Sequence, residues 1–356
     1  MSFKLYKIKN FSFVVTGYTP STSIKENYES NDYMFIGPVD LKNNRFITGT
    51  QKYISSFAFK KSIKRVLKKG DVVVDCIGSD MGNVGIITDF CISNQQINAI
   101  TQIDAAIINN IYLYYLLSTK KSFFHQIGMN GSTMPIISKT LFENIELNIH
   151  DLNTQQHIVN TIGSVDDLIE QKQQIISKLI KKSTLMYELY KTEVISSNPL
   201  FLINCCEIKT GKLNAIEADE NGIYPFFTCG KKELQINSFA FDGDLIVIAG
   251  NGEISVKYYN GKCNAYQRTY MLTPSKYFYL FLKECELRID ELVNISQGSV
   301  IKFITKSMLE NISIYLNKNA SELNDKIKDI YTYINHLQKE LKLLEKLKKY
   351  MLIKYF

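Results

Sequence analysis

The chain has 356 residues, 45% hydrophobic and 22% charged, which excludes disorder or a collagen-like repeat for its bulk and suggests two globular units plus something more. Lys and Arg number 42 against 35 Asp and Glu, a formal charge of +7 that suits a polyanionic partner without requiring one. Seven cysteines without a C-x-x-C pair, a start with no apolar stretch, and no apolar run approaching the roughly 20 residues of a membrane span imply a reducing, cytoplasmic protein with no membrane anchor.

Taken in chain order, the first 150 residues read as strand-rich. Thr16-Gly17 marks an early turn, and a basic run interleaved with aromatics follows at Phe57, Phe59, Lys60, Lys61, Lys64, Arg65, Lys68 and Lys69. Gly70-Asp71 then opens the apolar strand Val72 to Val74, Gly85 to Thr88 reads as another strand, and Asn109 to Ser118 reads as helical. After Gly131-Ser132, apolar residues fall on a 4-3 seam through Ile158, Ile162, Val165, Ile169, Ile176, Leu179, Met186 and Tyr190, broken at Lys172 and Ser183. The spacing predicts one long helix over 151–195, ended by Asn198-Pro199.

The remaining chain repeats that order. Residues 131 to 147 match 298 to 314 at seven of seventeen positions with a constant offset of 167, including Glu143-Asn144-Ile145 against Glu310-Asn311-Ile312. Upstream, Thr210-Gly211 answers Thr16-Gly17 at an offset of 194, and Gly243-Asp244 before Leu245 to Ile248 answers Gly70-Asp71 at 173. The first copy therefore carries about 27 more residues, mostly early. Tyr277 to Leu287 reads as a helix, and a second seam runs through Leu323, Ile327, Ile330, Ile334, Leu337, Leu341, Leu344 and Met351, broken at Lys348.

These patterns predict an α+β chain of two similar globular domains, 1–150 and 196–318, each followed by a long helix, 151–195 and 319–356. About 36 helical residues span roughly 54 Å. A domain's ends usually lie close together, so the second helix is expected to run back along the first as an antiparallel coiled coil, giving the repeat a pseudo-two-fold character. Ile162, Val165, Ile169, Ile176, Leu179, Ile327, Ile330, Ile334, Leu337, Leu341 and Leu344 form the expected helix–helix and partner interface. Val159, Leu168, Ile175, Ile180, Leu189, Tyr331 and Leu347 widen the apolar stripe beyond what two helices can bury, so the excess is expected against the domains and against a partner. Lys339, Lys342, Lys346, Lys348, Lys349 and Lys354 read as a wet outer face, and His157 and His336 as solvated.

Catalytic signatures are missing. All six prolines are isolated, so no Asn/Asp-Pro-Pro-aromatic centre of an amino-methyltransferase exists, and the Gly-Lys pairs at 211, 230 and 261 lack the Ser/Thr of a phosphate-binding loop. Four histidines without ligand spacing leave zinc no home. Glu207-Ile208-Lys209 reads as a chance echo of a nuclease motif, and Ser132 and Ser299 as turn residues. What remains is chemistry suited to DNA: Lys60, Lys61, Lys64, Arg65, Gln95 and Gln96 in the first domain, and Lys231, Lys232, Tyr258, Tyr259, Lys262, Gln267 and Arg268 in the second. Cationic groups neutralise phosphates, and amide or guanidinium groups pair with base edges.

The duplicated order of Glu207-Ile208-Lys209-Thr210-Gly211-Lys212-Leu213-Asn214 with Thr16-Gly17-Tyr18-Thr19-Pro20, of Gly70-Asp71 with Gly243-Asp244, of Gly131-Ser132-Thr133 with Gly298-Ser299, and of the helix after each, resembles the specificity subunit of type I restriction-modification enzymes over essentially the whole chain. The resemblance implies two target recognition domains, each reading half of a bipartite site in double-stranded DNA, and helices that set the spacer and dock two methyltransferase subunits. It implies no catalytic residue and no cofactor here, with S-adenosylmethionine and ATP used by methyltransferase and restriction partner subunits. Lengthening the helix near Gln173 is then expected to change the spacer and not the half-sites. Gln155-Gln156 stands where the family has Glu-Gln, and the second helix has Glu322-Leu323, so helix-start details do not transfer. The rival reading is a non-catalytic two-headed coiled-coil adaptor that binds proteins rather than DNA.

Overall fold

The structure is a computed structural model describing residues 3–42, 45–129, 135–194, 198–230, 232–295 and 302–356. It forms two compact units, one of Met1–Ile169 with Leu343–Phe356 and one of Glu170–Lys342. The Gly131-Ser132-Thr133 and Gly298-Ser299 segments and Lys231 lie outside the described residues.

In the first unit the elements are β1 (Phe3–Lys7), β2 (Phe13–Thr16), β3 (Tyr33–Ile36), β4 (Phe46–Ile47), β5 (Lys52–Ile54), α1 (Ser56–Lys61), β6 (Val72–Asp75), β7 (Val84–Ile87), β8 (Cys91–Ser93), β9 (Ile97–Thr101), α2 (Asn110–Ser118), α3 (Lys121–Gly128), α4 (Lys139–Glu143), β10 (Glu146–His150) and the start of α5 (Leu152–Thr192). One sheet has the order β2-β9-β6-β7-β4 and a second β5-β3-β8, while β1 pairs with β10. Because strand side chains alternate faces, Val72 and Val74 pack against Tyr112, Leu113, Leu116 and Ile158 on the helical side, while Val73 packs with Met34, Ile36 and Leu67 toward the second sheet. Helix α2 is apolar all round because it is buried all round, and Asn109 caps it by accepting from the Ile111 and Tyr112 amides.

The second unit rebuilds this plan from a different sequence. It has β11 (Leu200–Phe201), β12 (Cys206–Thr210), β13 (Tyr224–Phe227), β14 (Leu234–Ile236), β15 (Asp244–Ala249), β16 (Val256–Asn260), β17 (Asn264–Ala265), β18 (Thr269–Pro274), α6 (Phe278–Leu287), α7 (Ile289–Ile295), α8 (Lys306–Glu310), β19 (Ser313–Ile314) and the start of α9 (Ala320–Tyr355). Its sheets run β12-β18-β15-β16 and β14-β13-β17, with β11 on β19, so every strand but β4 has its counterpart. The parallel pair β3–β8 recurs as β13–β17. Here Ile246 and Ile248 face the helices, and Leu245 and Val247 face the smaller sheet. The repeated Gly-Asp pairs mark one turn: Gly70 has φ +94° and Gly243 φ +103°, a backbone that disfavours a side chain. Most of the extra length of the first copy sits in β4 with the turn before it and in α1, which joins β5 to β6; β14 reaches β15 with no helix between.

The chain is thus two similar α+β domains with two long helices whose segments run antiparallel inside each unit. In the first, His157 on α5 lies 3.4 Å from the Tyr355 hydroxyl on α9, and Asp166 pairs with Lys348 at 2.7 Å. In the second, Lys172 pairs with Glu340 at 2.6 Å, and the Tyr190 hydroxyl donates to the Tyr315 carbonyl while accepting from the Asn317 amide. The breaks in the apolar seams are therefore filled. Lys172 and Lys348 hold ion pairs, and the buried Ser183 returns its hydroxyl to the Ile180 carbonyl. Lys348 is a correction to the wet outer face expected from sequence, since Asp166 draws it inward.

Ile162, Val165, Ile169, Ile327, Ile334 and Leu337 are buried, and Ile176, Leu179, Ile330, Leu341 and Leu344 half-buried. Val159 and Tyr331 are covered by their own domains, whereas Leu168, Ile175, Ile180, Leu189 and Leu347 are exposed. Among the described residues no helix is long and apolar enough to cross a membrane.

Candidate nucleic-acid interface

The basic run of the first unit lies on a short helix and the 3-10 turn after it. Ser55 caps α1 by accepting from the Ala58 amide at 3.3 Å, and buried Ala58 anchors its inner side. Lys60, Lys61, Lys64 and Arg65 are left outward and exposed. Lys61 sits 4.0 Å over the Phe57 ring and Arg65 5.0 Å over Tyr18, so each of these cations is braced by an aromatic face, while Phe59 stacks on Tyr33 at 3.7 Å. Gln95 is exposed on the turn between β8 and β9 and accepts from the Thr19 hydroxyl. Arg65, Tyr18, Thr19 and Gln95 thus meet at one place. Gln96 serves the turn itself: its side-chain oxygen accepts from Asn94, its amide donates to the Asn94 side chain, and its carbonyl accepts from the Cys76 amide.

In the second unit Lys232, Lys262, Gln267 and Arg268 are exposed, and Lys262 lies 4.5 Å over the Phe239 ring. Gln267 donates to the Asn214 side chain at 3.1 Å. The adjacent tyrosines part company, because Tyr258 and Tyr259 are successive residues of β16. Tyr258 lies on the helical side, partly buried. Its ring packs edge-on against Tyr331 at 5.1 Å, its hydroxyl donates to Asp244 at 2.7 Å, and burial, with the Tyr279 and Asp244 contacts, pushes its pKa above the usual phenol range. Tyr259 lies on the other face against Phe227, its hydroxyl donating to the Lys262 carbonyl, with burial pushing its pKa up to about 12. Neither phenol is an anion at neutral pH, and Tyr258 is a packing residue. Glu207 and Lys209 simply pair with each other at 2.7 Å on β12.

Sequence reasoning missed the polar clamps that hold each domain on its helices. Gln155, fully buried, accepts from the Asn109 amide and donates to the Ile107 and His150 carbonyls, tying the start of α5 to the first domain. Glu284, buried on α6, takes Tyr187, Lys191 and Arg288, and its neighbour Lys283 takes Glu286 and Tyr331. The available signal was a Lys-Glu pair inside the apolar stretch Leu280 to Cys285. Among the described residues no group of three His, Cys, Asp or Glu side chains is placed to hold a metal ion.

Two units with one topology, each presenting an exposed glutamine amide from the same turn, describe a duplicated module. The family model of the type I restriction modification DNA specificity domain matches twice, over residues 2–181 and 200–349. The chain belongs to this family. Membership favours DNA specificity over the protein-adaptor reading. Among the relatives, the EcoDI specificity subunit of Escherichia coli is 43% identical over 114 residues, covering 31% of this chain and 25% of that protein. The MjaIX specificity subunit of Methanocaldococcus jannaschii is 32% identical over 197 residues, covering 54% and 44% respectively. The chain thus matches less than half the length of either relative. The crystal structure of a type I restriction-modification S subunit from M. genitalium aligns over 100% of this chain and 96% of that one, with TM-score 0.62 and 17% identity, a likeness of fold.

Proposed function

We propose that this specificity-family chain is the DNA-recognition subunit of a type I restriction-modification system. Its two domains each read half of a bipartite site, and the helix faces carrying Leu168, Ile175, Leu189 and Leu347 dock two methyltransferase subunits. The chain itself performs no chemistry: S-adenosylmethionine belongs to the methyltransferase partners, and ATP to restriction subunits where these join. The assembly works in the cytoplasm. The observation carrying the reading is the duplication, since two domains of one topology suit two half-sites read from the same groove geometry.

The test is co-expression with the cognate methyltransferase subunits in a host lacking other adenine methylation, followed by single-molecule sequencing. A bipartite methylated motif with a fixed spacer is the expected result. Methylation without a bipartite motif, or an unchanged pattern when the chain is omitted, would overturn it.

A further inference from the structure

Both units build the same corner around the glycine that follows the first strand of the larger sheet. A Cβ on Gly17 would lie 1.9 Å from the Asn94 carbonyl oxygen, and one on Gly211 1.8 Å from that of Ala265, so neither position admits a side chain. Backbone hydrogen bonds fasten each contact. The Gly17 amide donates to Ile97 and that of Tyr18 to Ser93, while the Gly211 amide donates to Thr269 and that of Gln267 to Leu213. One exposed amide side chain on each turn is then tied to a residue just past the glycine: Thr19 donates to Gln95, and Gln267 donates to Asn214 at 3.1 Å.

The donor and acceptor are reversed between the two units, yet the arrangement is the same. In the first unit Arg65 lies over the ring of Tyr18, the neighbour of the Thr19 that holds Gln95, and in the second the exposed Arg268 follows Gln267 in the chain. The Lys-rich helix α1, by contrast, has no counterpart in the second unit, so it is not what the two domains share.

We infer that Gln95 and Gln267 are the specificity-determining residues of their respective half-sites, each reading one base pair in the major groove. Thr19 and Asn214 are positioning residues that hold the amides in one orientation. A glutamine amide matches the N6 and N7 edge of adenine, and a tether that fixes its rotamer before binding sharpens that match. Arg65 and Arg268 neutralise phosphate alongside. This inference rests on the DNA-reading function proposed above.

The test compares wild-type chain, co-expressed with methyltransferase subunits, against single variants by methylome sequencing. Gln267→Ala is expected to relax one base position of one half-site by about 10- to 100-fold, and Gln95→Ala one position of the other. Thr19→Val reproduces Gln95→Ala while Thr19→Ser retains the motif, and Asn214→Ala reproduces Gln267→Ala while Asn214→Asp, still an acceptor, retains it. Gln267→Glu, whose carboxylate keeps the tether by accepting from the Asn214 amide once that side chain turns over, shifts preference toward cytosine, whose N4 donates, and decides the matter should the alanine variant fail to accumulate. Unchanged motifs in the glutamine variants beside a working wild type overturn the corner alone, as does relaxation of both half-sites by one variant. A wild-type chain that directs no bipartite methylation overturns the underlying function and the corner with it.

Discussion

The Tyr187 hydroxyl donates to Glu284 at 2.8 Å, joining α5 to α6 inside the second unit where both side chains are almost wholly buried. Burial, then the adjacent carboxylate, pushes the phenol above its usual range, so it stays a donor. Lys191 and Arg288, each partly exposed, neutralise the same carboxylate at 3.0 and 2.5 Å. Glu284 is therefore an acceptor for three groups from two elements.

Glu284→Ala is expected to destabilise the second unit by about 2 kcal/mol, below the range for a fully buried pair because the two released cations can reach water. Tyr187→Phe, which leaves both ion pairs in place, costs about 1 kcal/mol. Amide hydrogen exchange of α6 measures both, and equal effects would mean that the hydroxyl carries the clamp alone.

The first unit has a clamp of the same kind from unrelated residues. Tyr115 on α2 donates to Asp166 on α5 at 2.8 Å, and Asp166 pairs with the half-buried Lys348 on α9 at 2.7 Å. Asp166→Ala strands an ammonium and a hydroxyl together, so a loss of about 3 kcal/mol is expected. Lys348→Met fills the same space but leaves the Asp166 carboxylate buried without its cation, so it should cost at least as much. Chemical denaturation followed by exchange in α2 compares them.

What was legible in the sequence follows from what the repeat had to preserve. Gly70 and Gly243 recur because their turns need positive φ, and Gly17 and Gly211 because a backbone oxygen lies where a Cβ would be. The strand cores at Val72 to Val74 and Leu245 to Ile248 were visible as apolar runs because both faces of the sheet are covered. The clamps were not legible. Tyr115, Asp166 and Lys348 are distant in sequence and share no spacing, and a lysine in a helical seam is ordinarily solvated. Nor could periodicity show that Tyr258 and Tyr259 are separated by the plane of a sheet until β16 was known to be a strand.

Asp71 immediately precedes the central strand of the first unit and Asp75 ends it, and burial raises each carboxyl to about 6, with the Asp80 carboxylate adding to the rise at Asp75. The folded chain therefore holds these protons more tightly than the unfolded chain. Their contribution to stability is present in full below about pH 4 and is lost as pH rises through 6. Asp75→Asn removes its share of that slope while keeping an oxygen for the Ile77 amide, and is expected to stabilise the first unit at pH 7 by about 1 kcal/mol. Urea unfolding at pH 4.5 and pH 7 measures this, and a variant as pH-dependent as the wild type would show that Asp75 is not the group responsible.

Gly211→Ala tests the corner without touching an amide that faces outward. The new methyl group meets main-chain atoms of Ala265 and Tyr266 that cannot rotate away, so β12 must separate from the β17–β18 turn. A loss of at least about 3 kcal/mol is expected, at or beyond the upper end for overpacking, because backbone rather than a side chain has to move. Gly230→Ala serves as the control: there the nearest heavy atom outside its immediate chain neighbours, the Thr228 hydroxyl, lies 3.9 Å from the place a methyl group would take, an ordinary contact. Thermal melts of the two variants should separate by several degrees or more. Equal melting temperatures would mean that the close approach of Gly211 to the turn is not what holds the corner shut, and the preorganisation assigned to Gln267 would lose its physical basis.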